Sequence, residues 1–195
     1  MDPLSPHGPL SFTSTTLMRL AHIRINIDLG PARSLGTWDP NIIAKALNES
    51  PPVQRSSKLT RAALHCVHAL SIPVKLGINY VAHTHVAYWS HQYALCSLEC
   101  ALLLAKWLES VTIPDPNPSL TPAEERMLDF VVQLVAETEY KASREQILEK
   151  REFLGSVIVR LWAKLFISDN VWEMVGLIGR SLNVYANLLE QKHIQ

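Results

Sequence analysis

The chain has 195 residues, enough for one domain with a sizeable core, and its 48% hydrophobic and 18% charged residues exclude general disorder. Its 18 basic residues are balanced by 18 acidic ones, so the chain as a whole lacks the cationic excess of a nucleic-acid-binding surface. Three cysteines, Cys66, Cys96 and Cys100, are an odd set in helix-forming surroundings, which argues against a disulfide framework and for an intracellular, reducing compartment.

The first residues carry Asp2, Pro3, Pro6 and Pro9 and no apolar run of the kind a secretory signal needs. Residues 1–13 therefore read as a frayed or disordered terminus, and 14–192 as a single helical domain. From Ser14 to Leu29 the residues Leu17, Leu20, Ala21 and Ile23 keep helical spacing, while Ile23, Ile25 and Ile27 alternate. Helix is favoured there, with a strand over Ile23–Ile27 as the alternative. Gly30-Pro31 closes either element.

Asp39-Pro40 opens a short helix, with Asp39 as its cap and Pro40 in the first turn, and Pro51-Pro52 ends it. Ser56 or Ser57 caps the next helix, which buries Leu59, Ala62, Ala63, Cys66, Val67 and Leu70 and turns Lys58, Arg61, His65 and His68 outward. Pro73 should stop or kink it, leaving Val74–Ala82 either to resume it or to form a separate turn.

Tyr88 to Ser110 is the most apolar helix-forming stretch, with apolar residues around so much of the circumference that it belongs at the centre. Polar residues interrupt it, and Glu99 lies in its middle, so no uninterrupted apolar run of roughly 20 residues is available to span a bilayer. Residues 111–120, with Pro114, Pro116 and Pro118, form a connector. Thr121-Pro122-Ala123-Glu124 is then a capping box, followed by the stripe Leu128, Val131, Val132 and Val135. Ser143–Gln146 signals another helix start, whose apolar positions run from Ile147 to Leu165. Ser168 or Asp169 caps the last helix, with Trp172, Val175, Ile178, Leu182, Tyr185 and Leu189 on one face and Gly176 and Gly179 permitting a close neighbour. The fold class is all-α, a single bundle-like domain of about six to eight helices.

Candidate chemistry is sparse. Cys96 and Cys100 share a helix face as two zinc ligands could, but that face is the apolar one, and core packing explains them better. His65 and His68 accompany Cys66, and His83 and His85 could pair with His91, but no carboxylate stands near these last three to complete a ligand set. The serines sit in no nucleophile elbow or phosphate-cradling loop. Most carboxylates, Glu124, Glu145 and Glu149 among them, interleave with Arg and Lys as on a solvated helix face. No catalytic, cofactor-binding or metal-binding residue is assigned, and no cofactor is called for.

The segments TTLMRLAHIRINIDLGPAR, RAALHCVHALSIPVKLGI and WSHQYALCSLECALLLAKWLE together resemble the all-helical regulatory region of fungal zinc-cluster transcription factors. The resemblance covers roughly Thr15 to Glu109. In that family a six-cysteine binuclear zinc cluster contacts DNA, and this sequence, with three cysteines, does not contain one. The resemblance thus implies a regulatory module in the nucleus, with the cytoplasm as the alternative, acting through protein partners without its own DNA contact, on a specialised biosynthetic gene cluster. The partner would be a second copy or a zinc-cluster transcription factor, held on apolar surface of the central and final helices. The rival expectation is a small helical enzyme or ligand-binding protein with a pocket near Tyr80–His91, where His83, His85, Tyr88 and His91 would converge.

Overall fold

The computed structural model describes residues 8–30, 33–84, 91–112, 119–139, 151–167 and 172–192, and no strand occurs among them. Among the described residues eight α-helices follow one another: α1 (Gly8–Asn26), α2 (Pro40–Asn48), α3 (Ser57–Leu76), α4 (Ile78–Thr84), α5 (His91–Thr112), α6 (Pro122–Ala136), α7 (Leu154–Phe166) and α8 (Glu173–Lys192). A 3₁₀ turn over Arg151–Phe153 leads into α7. His85, Tyr88, Pro114, Pro116, Pro118, Ser143–Gln146, Ile147, Ser168 and Asp169, for which the sequence carries expectations, lie outside the described residues, as do residues 1–7.

Helix starts follow from local chemistry. The Asp39 carboxylate accepts from the Asn41 N–H at 2.8 Å, and Ser56, not Ser57, accepts from the Leu59 N–H at 3.1 Å. Each satisfies a backbone donor that the first helical turn leaves without a partner. At α6 the box closes both ways: the Glu124 N–H donates to the Thr121 hydroxyl and the Thr121 N–H to the Glu124 carboxylate. The segment through Ile27 is helical up to Asn26, so burial of Ile23 at helical spacing wins over the local alternation.

Pro73 does not stop α3. It lies inside the helix, where it takes away one i→i−4 donor, and the helix still runs on to Leu76. Gly77, at φ +92°, then turns the chain into α4, a conformation L side chains rarely adopt.

Every residue of α5 from Cys96 to Leu108 is buried, and α1, α3, α7 and α8 all pack against it. This helix is the axis of the bundle, and its apolar circumference is consumed within the chain. Trp107 and Trp162 are fully buried, and each buried aliphatic side chain around them contributes about 1.5–3 kcal/mol of transfer free energy. The tightest helix pair is α7 with α8. A Cβ on Gly179 would stand 2.8 Å from both the C and O atoms of Phe166, so only glycine allows this approach. Trp172, placed by periodicity on the buried face of α8, instead precedes that helix, is about half exposed and lies with its ring centroid 4.8 Å from that of His91.

Candidate interaction surface

The residues that first invited chemistry are accounted for by packing. Cys66, Cys96 and Cys100 are all buried and free. Burial pushes the Cys96 thiol up to about 11 and the Cys66 thiol well above its usual range, so both stay protonated and poor as ligands or nucleophiles. No group of three or more His, Cys, Asp or Glu side chains among the described residues is arranged to hold a metal. Of the four residues expected to converge near Tyr80–His91, two are described. His83 is exposed with its Nδ1 2.7 Å from the Asn79 carbonyl, and His91 rests on Trp172. No helix is long and apolar enough to cross a membrane among the described residues.

His65 and His68 have other neighbours. His22 of α1 meets His65 of α3 edge to face, with ring centroids 5.0 Å apart, while His68 approaches Phe130 of α6 at 5.9 Å. Burial, then the charges of His22, Arg19, His68 and Arg61, hold the His65 imidazole below its ordinary pKa. The outer faces of α1 and α3 thus carry a cluster of cationic and ionisable groups in a chain whose overall charge balances.

That cluster borders a groove of about 940 Å³ between the N-terminal halves of α3 and α6. Helical spacing builds each wall. On α3, Ser57, Arg61, Leu64 and His68 recur at three- and four-residue steps; on α6, Ala123, Met127 and Phe130 do the same, with Arg126 beside Met127. Leu64 is 39% exposed, on the face expected to be polar, and with Met127 and Phe130 it makes the floor apolar. Arg61 and Arg126 are exposed on opposite walls.

The groove's end is pinned by an ion pair. Arg55 Nε and NH2 donate to the two Glu124 oxygens at 3.0 and 2.6 Å, and Arg55 NH2 also reaches the Ser119 carbonyl at 3.3 Å. Glu124 is therefore buried and not on a solvated face, which corrects the sequence expectation. Hydrogen bonds from Arg55, with those from the Thr121 N–H and hydroxyl, hold its carboxyl down to about 2 against the cost of burial. Among the described residues Glu124 is the one acid lining the groove, and it is paired with Arg55, while Arg61 and Arg126 line the groove with no ion pair to a described residue.

Helical spacing turns Arg61 and His68 outward but carries no link to Arg126 and Phe130. The available signal was an apolar residue, Leu64, in the middle of a polar face. What could not be read was that α6, over fifty residues further along the chain, lies alongside it.

A family model described as the fungal transcription factor C-terminal domain matches residues 28–184. No curated protein and no solved structure matches the chain.

Proposed function

The chain belongs to the fungal transcription factor C-terminal domain family, and on that premise we propose that it regulates transcription in the nucleus by binding partner proteins. DNA contact is left to the partner. Two features of the molecule support this reading. The three cysteines of the sequence are buried in a helical core and so form no metal-bound DNA-reading unit. A concave surface between α3 and α6 has an apolar floor and charged walls, the composition of a protein-docking groove. The proposed targets are genes of a specialised biosynthetic cluster, as in the regulators whose helical region these segments resemble.

The observation that carries the reading is the family match over residues 28–184. The test is deletion of the gene in its native cells, with transcript profiling, beside localisation of a fluorescent fusion of the full chain. Nuclear signal together with a changed, restricted set of transcripts is the expected outcome. An unchanged transcript profile would overturn the proposal.

A further inference from the structure

We infer that the groove between α3 and α6 docks an acidic amphipathic helix of a partner protein. The inference rests on the reading of the chain as a protein-binding regulator and adds the place and the chemistry of the contact.

Charge complementarity selects the occupant. The chain has no net charge, yet its groove exposes Arg61 on one wall and Arg126 on the other, and its acid, Glu124, is spent on Arg55. Arg19, beside His65, extends the same sign along the surface. A ligand must therefore bring carboxylates, which meet guanidinium groups in a planar, two-point geometry. The floor sets a second condition. Leu64, Met127 and Phe130 form apolar surface between the two arginines, so a ligand that is acidic throughout would leave it wet. A helix with apolar residues on one face and acids flanking that face satisfies both.

Dimensions agree. From Ser57 to His68 the α3 wall runs roughly 16 Å at 1.5 Å per residue, about three turns of a docked helix. Nucleic acid fits less well: two exposed arginines and an apolar floor supply few phosphate contacts, and specific binding to a duplex uses many.

The experiment uses the full chain and a fluorescent synthetic peptide of Leu, Phe, Ala and Glu, patterned as an amphipathic helix with Glu flanking its apolar face. Comparison probes are a scrambled peptide of equal charge, the same helix with Lys for Glu, and a labelled DNA duplex. Fluorescence anisotropy should show saturable binding of the acidic helix, weakened by salt because the contacts are ionic. The double variant Arg61→Glu/Arg126→Glu, both exposed positions, should lose about tenfold or more in affinity and gain binding of the Lys helix. A second variant, Leu64→Asp, should weaken the acidic helix with both arginines kept. Circular dichroism confirms that each variant is folded.

Three results overturn the inference: no saturable binding of the acidic helix, equal binding of the scrambled peptide, or binding unmoved by charge reversal. Binding of the duplex alone, lost on charge reversal, overturns it in favour of a nucleic-acid surface. These results separate from failure of the regulator reading, which is scored by transcripts after deletion. A changed transcript profile with a groove that binds nothing leaves the regulator standing and removes only the groove.

Discussion

The Arg33 guanidinium grips both oxygens of Glu99, Nε to Oε1 at 2.8 Å and NH2 to Oε2 at 3.0 Å, with both side chains buried. Arg33 also donates to the Leu29 and Gly30 carbonyls, and Arg24 adds a bond to Glu99 at 2.9 Å. One carboxylate in the middle of α5 thereby ties down α1 and the segment that follows it. Removing Glu99 strands a buried guanidinium. Glu99→Ala is expected to cost about 3–5 kcal/mol in urea unfolding, and Arg33→Lys to recover only part of the pair, since an ammonium cannot match the two-point contact. A loss under about 1 kcal/mol for Glu99→Ala would show that the pair does not hold α1 in place.

Gly179 gives a prediction of opposite sign to helix propensity. Alanine is favoured over glycine in a helix by about 1 kcal/mol. Here its Cβ would sit 2.8 Å from the Phe166 backbone, which is too close to relieve by moving a side chain. Gly179→Ala should therefore destabilise, by roughly 1–3 kcal/mol as α7 and α8 are pushed apart. Gly36→Ala, where nothing lies within 4 Å, should stay within about 0.5 kcal/mol. Thermal midpoints of the two variants, measured side by side, check the difference.

These two sites show what the sequence discloses and what it withholds. The helix starts at Asp39, Ser56 and Thr121 are legible in the sequence because a capping side chain and the backbone N–H that donates to it sit within three residues of each other. The buried centre of α5 was readable because apolar residues surround it. Glu99 was passed over as an ordinary break in that run, because its partner Arg33 lies 66 positions away and distance in sequence hides a buried ion pair. Arg55 and Glu124, 69 apart, were hidden for the same reason. The groove residues were visible singly, as a polar face and a capping helix, while their assembly depends on how α3 and α6 lie together.

Acid should loosen the α1–α3 contact. The His65 pKa is held below its ordinary value by burial and then by His22, Arg19, His68 and Arg61, so the unfolded chain binds the proton more readily than the folded one. Stability from this group is thus complete above about pH 6.5 and declines as pH falls below it. Unfolding midpoints at pH 7.5 and 5.5 should differ, and His65→Asn should narrow the difference. A variant with the full wild-type difference would remove His65 as its source.

The opposite end of the scale belongs to Glu124. With its carboxyl depressed to about 2, its contribution is present above the ordinary carboxylate range and lost only as pH falls toward 2. Arg55→Ala should cost roughly 2–4 kcal/mol at pH 7, because it leaves a buried carboxylate without its cation, and less near pH 3 as the stranded acid takes up a proton. A pH-independent loss, followed by chemical denaturation at both pH values, would contradict the assignment.

Regulation of transcription through a partner held in the α3–α6 groove can be tested by complementation. Cells lacking the gene receive either the native chain or the folded Arg61→Glu/Arg126→Glu variant, and transcripts are profiled in both. Restoration by the native chain and failure of the variant is the predicted result. A profile that is the same with no gene, with the native chain and with the variant would contradict it.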